Sequence, residues 1–159
     1  MKIPKTNAAR LLDKAGIDYD LIPYTVDEEH LDAVHVASQL NEDIRQVFKT
    51  LVLRGDRTGV FVCVIPGDRE LDLKAAAKAS GNKSAAMLHV RELLQTTGYI
   101  RGGCSPIGMK RTFPAFIDAT CREFDRLYIS AGIRGLQIRI APEALIRFAR
   151  LTVVPLTVG

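Results

Sequence analysis

The chain has 159 residues, of which 47% are hydrophobic and 25% charged, and its net charge is +4. That length suits one domain spanning residues 1–159, and the apolar share calls for a packed core and excludes a disordered chain. No run of like charges forms a basic tail, so the mild positive charge permits a polyanionic partner without requiring one.

Thr6 or Asn7 caps a first helix that carries Ala8, Leu11, Leu12 and Ala15 and ends at Gly16. Residues 17–21 alternate apolar and polar, a strand running toward Pro23 and Tyr24. Ala33, Val34, Ala37 and Leu40 recur at helical spacing. Strands follow over 47–54 and 60–65, joined by the turn Gly55-Asp56-Arg57-Thr58-Gly59. After the break at Pro66-Gly67-Asp68, Asp72 caps an alanine-rich helix over 73–79, closed by Ser80-Gly81. A helix over 90–95 ends before Gly98, and strands are predicted at 115–119, 126–130 and 136–140. Pro142 opens a helix to about Arg150, and residues 151–154 make a last strand. The strands after residue 110 are joined too tightly for helical crossovers. The fold class is therefore α+β, with a mixed, largely antiparallel sheet flanked by short helices.

Strand alternation puts Lys49 on the same side as Val47, Leu51 and Leu53. An ammonium among apolar side chains is costly unless it reaches water or serves a site. An edge lysine that discourages aggregation is one reading. A positive clamp, a base or a Schiff-base nucleophile is the other, and the sequence does not choose among these.

Two glycine turns lie downstream, Gly102-Gly103-Cys104-Ser105-Pro106-Ile107-Gly108 and Ser130-Ala131-Gly132-Ile133-Arg134-Gly135-Leu136. Paired glycines leave backbone N–H groups open to a ligand. The first turn has the order of neither a P-loop nor a dinucleotide fingerprint, so it suits a carbonyl or oxyanion pocket better than a phosphate loop, with a simple tight turn as the plain alternative. Arg101, Lys110, Arg111 and Arg134 lie near them and would rim a pocket if the turns converge. His30, His35 and His89 show no metal spacing and offer Ser130 no base, which makes serine- and metal-hydrolase readings poor. Cys63, Cys104 and Cys121 are widely spaced without a C-x-x-C, and Cys63 sits in an apolar run as a small hydrophobe. The first six residues have no apolar leader, and no 18-residue apolar stretch occurs. The expectation is a reduced, cytoplasmic protein with no membrane partner, no metal and no cofactor.

Four segments in register carry a resemblance. They are Val47-Phe48-Lys49-Thr50-Leu51, Leu71-Asp72-Leu73-Lys74, Thr97-Gly98-Tyr99 with the first glycine turn, and Tyr128-Ile129-Ser130-Ala131-Gly132 with Arg134-Gly135-Leu136. The chain resembles the YbaK/EbsC family of freestanding aminoacyl-tRNA editing proteins, itself similar to the editing domain inserted in bacterial prolyl-tRNA synthetases. The resemblance implies a barrel-like sheet and an aminoacyl-tRNA deacylase that clears cysteine mischarged onto tRNA(Pro). By motif match it implies Lys49, Gly102 and Ser130 as catalytic residues, with Lys49 near the tRNA 3′ end and Gly102 offering N–H to the substrate carbonyl. Tyr24, Thr50, Gly103, Cys104, Ser105, Gly132, Arg134 and Gln137 would bind substrate. It implies mischarged tRNA as the partner, with prolyl-tRNA synthetase in a ternary complex.

The chain also departs from the family pattern. Gln137 stands where an aspartate is often found, Cys104 where an aliphatic residue is usual, and Glu29-His30-Leu31-Asp32 lacks a pocket phenylalanine. An aminoacyl ester is already activated, so a catalyst needs chiefly to position it and stabilise the oxyanion. A cysteinyl substrate brings its own thiol, which fits a sequence without any usual nucleophilic constellation and leaves Cys104 as a pocket wall. The alternatives are a deacylase for another small residue, alanine or serine, and a non-catalytic module that binds tRNA or a synthetase.

Overall fold

The first helix starts where Thr6 Oγ1 accepts from the N–H of Ala9 at 3.3 Å, capping α1 (Asn7–Lys14). These positions come from a computed structural model that describes residues 3–159. Met1 and Lys2, part of the segment read above for a leader, lie outside the described residues. The other helices begin and end as their caps dictate. Asp32 caps α2 (Ala33–Leu40) and Asp72 caps α3 (Leu73–Ser80), which ends on Gly81. Gly98 ends α4 (Val90–Thr97), and Pro142 opens α5 (Pro142–Ala149).

The strands are β1 (Tyr19–Pro23), β2 (Phe48–Gly55), β3 (Gly59–Pro66), β4 (Ala85–Met87), β5 (Ala115–Asp118), β6 (Leu127–Ser130), β7 (Leu136–Ile140) and β8 (Leu151–Val154). They form two sheets, one of order β1-β7-β6 and one of order β4-β2-β3-β5-β8. The smaller sheet is antiparallel throughout. In the larger, β2 pairs antiparallel with β3 and β4, while β5 is parallel to both β3 and β8. The α+β class with a mixed, mainly antiparallel arrangement is as the sequence indicated, although the sheets do not close into a barrel. The tight joins after residue 110 hold for the β6–β7 hairpin. The parallel pairs arise because the chain passes from β3 to β5 through α3, β4 and α4, and from β5 to β8 through the smaller sheet and α5.

The main core fills the space between the sheets, where Val62, Val64 and Ile117 meet Leu127, Ile129, Ile138 and Ile140, with Leu12 and Leu145 from the helices. On the other face of the larger sheet, Phe61, Cys63 and Ile65 pack with Phe116, Leu156 and Ala76 of α3. Burial on both faces explains why β3 reads as an unbroken apolar run. The sequence did not predict β4. Asp56 Oδ1 builds it from outside by accepting from the N–H of Lys83 (2.9 Å) and Ser84 (3.1 Å).

Candidate functional site

The two sheets meet edge to edge at one isolated parallel bridge, Val47 with Tyr128. Beyond it the edges part. The N–H of Gly67 donates to Val47 O at 2.8 Å and that of Leu88 donates to Val52 O at 2.9 Å. Val47 therefore turns its carbonyl toward β3 and Val52 toward β4, and antiparallel alternation turns the main chain of Thr50 toward the β4 side. β4 covers only residues 53–55 of β2, so no strand of that sheet lies opposite Thr50. A cleft of about 350 Å³ opens at this uncovered edge. Both faces of the first half of β2 contribute to it, Val47, Lys49 and Leu51 along with Phe48, Thr50 and Val52.

Lys49 is half-buried, and its Nζ donates to the carbonyl of Gly67 at 3.3 Å. Gly67 has to be glycine: a Cβ there would lie 2.3 Å from Ala33 Cβ and 2.9 Å from Val47 O. The same residue thus lets the start of α2 close against the sheet and anchors the lysine.

The two glycine turns do converge. Arg134 Nε donates to Arg101 O at 2.9 Å, tying one turn to the other. Gly102 has φ +86, and a Cβ on it would lie 3.2 Å from Arg134 Nε. Tyr99 pins both turns from below. Its hydroxyl donates to Ile107 O, and its ring or hydroxyl would contact a Cβ at either Gly108 or Gly132 within 3.0 Å. Burial pushes the Tyr99 phenol up to about 12, which keeps it a donor.

Tyr24, Lys49, Thr50, Gly102, Cys104, Ser130 and Gln137 line the cleft. Gly103, Ser105, Gly132 and Arg134, expected to touch substrate, are absent from that lining and lie in the turns that supply Gly102, Cys104 and Ser130 to it. Ser105 is fully buried with Oγ accepting from the N–H of Ile107 at 3.2 Å, and a Cβ on Gly103 would press within 3.3 Å of the Ile133 backbone. Of the four basic residues, Arg101 lines the cleft and Arg134 braces it. Lys110 reaches Gln95 O at 3.4 Å, and Arg111 lines a separate cavity with Phe148 and Arg150.

Ser130 Oγ accepts from the N–H of Gly132 at 3.1 Å. No histidine is among the described residues that line the cleft. His30 and His35 stack at 5.2 Å beside Asp27, whose carboxyl is held below its usual range first by its bond to His30. Burial pushes the Cys104 thiol up to about 12, so it faces the cleft as a neutral thiol. The sequence reading missed the apolar wall formed by Leu31 before α2, Val36 on α2, and Val90 and Leu93 on α4. Its only signal was helical amphipathicity, which ordinary packing produces as well.

The family model described as "Aminoacyl-tRNA editing domain" matches residues 27–148. The chain is 48% identical, over 153 residues and 93% of both chains, to EbsC of Enterococcus faecalis, which is named as a candidate Cys-tRNA(Pro)/Cys-tRNA(Cys) deacylase. It is 37% identical over 73 residues to the proline–tRNA ligase of Thermosipho africanus, a match covering 46% of this chain and 13% of the ligase. A crystal structure described as a candidate trans-editing enzyme for prolyl-tRNA synthetase superposes with TM-score 0.83 at 22% identity, over 97% of this chain and 99% of that one. At that identity the superposition establishes a shared fold.

Proposed function

This chain belongs to the aminoacyl-tRNA editing-domain family, and from that premise we propose that it is a deacylase clearing cysteine from mischarged tRNA(Pro). The observation that carries the reading is a cleft offering an ammonium and a glycine backbone but no activated nucleophile. Its one thiol, Cys104, is held protonated, and Ser130 Oγ is hydrogen-bonded to the N–H of Gly132 and to no histidine, lysine or carboxylate among the described residues.

Such a cleft suits a substrate that supplies its own nucleophile. The cysteinyl sulfur attacks the ester carbonyl carbon, forming a C–S bond while the bond to the ribose oxygen breaks. The thiol proton ends on that ribose oxygen, and cysteine leaves as a cyclic thioester that water opens. Gly102 would offer its N–H to the developing oxyanion, and Lys49 would hold the anionic tRNA 3′ end. Ser130, Tyr24 and Thr50 would fix the aminoacyl group within the cleft, with Cys104 as its wall. A net charge of +4 gives modest attraction to tRNA alone, which favours action with prolyl-tRNA synthetase in a ternary complex.

The test is deacylation of Cys-tRNA(Pro) beside Ala-tRNA(Pro) by the isolated protein, with Lys49→Ala as control. Fast, Lys49-dependent loss of cysteine supports the reading. Preference for alanine moves it to another small residue, and turnover of neither leaves a binding module.

A further inference from the structure

Two buried side-chain atoms among the described residues have no hydrogen-bond partner in the protein, Thr50 Oγ1 and Gln137 Oε1. Both residues line the cleft, one from each sheet. Thr50 comes from the uncovered edge of β2. Gln137 comes from β7, where it is 5% exposed and paired in register with Ser130. A fold does not usually leave buried acceptors unmatched, and two in one cleft point to a ligand that satisfies them. An amide oxygen only accepts, so that ligand must bring a donor.

The α-ammonium common to every aminoacyl ester is one donor, but the cleft holds a better place for it. Asp32 is the sole carboxylate among the lining residues, and only its Oδ1 is taken, by the N–H of His35. Thr50 Oγ1 and Gln137 Oε1 are neutral and buried, and a cation held by them alone would lose its water without gaining a counter-charge. A neutral donor suits them.

Building on the deacylase reading, we infer that Thr50 and Gln137 are specificity-determining residues that read a hydrogen-bond donor on the substrate's side chain, an S–H or O–H. An aliphatic side chain of the same size would leave both acceptors buried and unpaired, and a site built this way rejects it. Selection of this kind acts at binding, before any thiol chemistry.

The test is binding of tRNA(Pro) carrying non-hydrolysable, amide-linked cysteine, serine, alanine or 2-aminobutyrate, the last matching cysteine in shape with a methyl for the thiol. The wild-type protein should hold the cysteine and serine forms about tenfold tighter than the other two, the scale set by one or two unmatched buried acceptors. Thr50→Val and Gln137→Met should each narrow the gap, and the double variant should close it. Thr50→Ser, which keeps the hydroxyl, should retain it and guards against a folding defect. Equal binding of cysteine and 2-aminobutyrate by the wild type would overturn the inference, as would variants that weaken all four ligands alike. Failure to bind all four, with prolyl-tRNA synthetase present as well as absent, would instead overturn the deacylase reading itself.

Discussion

Lys49 Nζ donates to the main-chain carbonyl of Gly67 at 3.3 Å, across the turn that follows the partner strand β3. That bond takes one of the ammonium's three donors and leaves the others for the cleft. It also fixes the side chain along the strand edge, so a ligand meets a positioned charge instead of a mobile one.

Lys49→Ala should therefore lower kcat/KM for Cys-tRNA(Pro) by roughly 10²–10³-fold, the scale for removing one preorganised donor from a reacting site. Its stability should stay within about 1 kcal/mol of wild type, since a half-buried lysine with one hydrogen bond contributes little to folding. Single-turnover deacylation and urea unfolding measure the two separately. A rate within a fewfold of wild type would remove Lys49 from the site.

Gly102 and Gly16 both adopt positive φ, +86 and +71, but only Gly102 has neighbours, with Arg134 Nε and Leu31 Cβ at 3.2 and 3.5 Å from a built Cβ. Gly102→Ala combines about 1–2 kcal/mol of left-handed strain with displacement of Arg134, the brace between the turns. Gly16→Ala carries the strain alone. Both variants should melt a few degrees below wild type, and only Gly102→Ala should lose deacylation. Equal activities would show that the close approach at Gly102 has no part in the reaction.

The helices were legible because their signals are local. Thr6 and Asp72 cap their helices, Gly81 and Gly98 stop theirs, and the second helix showed in its apolar spacing although its cap, Asp32, was not read. The cleft was legible where a residue type is unusual for its place, as with Lys49 in an apolar strand and glycine pairs after Arg101. What stayed hidden depends on distant partners. β4 exists because Asp56 holds Lys83 and Ser84, and the parallel pairing of β5 depends on a return path through the other sheet. Gly103, Ser105, Gly132 and Arg134 belong to the two turns but not to the lining of the cleft, a placement that spacing along one chain does not resolve. Tyr99, which pins both turns, was visible only as the flank of a motif.

Burial raises all three thiols from the ordinary 9.0, Cys63 and Cys104 to about 12 and Cys121 to about 11. Below pH 9 both folded and unfolded chains keep these protons. Above it the unfolded chain releases them while the folded chain does not, so stability falls as pH rises from 9 toward 11–12. The slope is at most about 1.4 kcal/mol per pH unit for each thiol. Urea midpoints at pH 8 and pH 10 should show the decline, and Cys104→Ala should lessen it, leaving the part due to Cys63 and Cys121, while keeping turnover. Rapid alkylation of native Cys104 at pH 8, or lost turnover in a folded Cys104→Ala, would identify a reactive thiolate instead.

Asn82 tests whether the far end of the hairpin matters to the site. Its Oδ1 accepts from the N–H of Arg57 (2.8 Å) and Thr58 (2.9 Å), and its Nδ2 donates to the hydroxyls of Thr58 (2.9 Å) and Ser80 (2.8 Å). Asn82→Ala leaves two turn N–H groups without partners, at a cost of about 2–4 kcal/mol. Gly55 lies directly against this amide, a built Cβ falling 2.2 Å from it, so no other side chain can fill in from the strand. Yet Lys49 and Gly55 stand at opposite ends of β2, roughly 20 Å apart at about 3.3 Å per residue. Loss of the turn should then speed amide exchange at Arg57 and Thr58 and lower the urea midpoint, while kcat/KM at low temperature stays within about threefold of wild type, the scatter expected of distant, uncoupled sites. A drop in rate as large as that of Lys49→Ala would mean that the register of the whole hairpin, set at the turn, holds the ammonium in place.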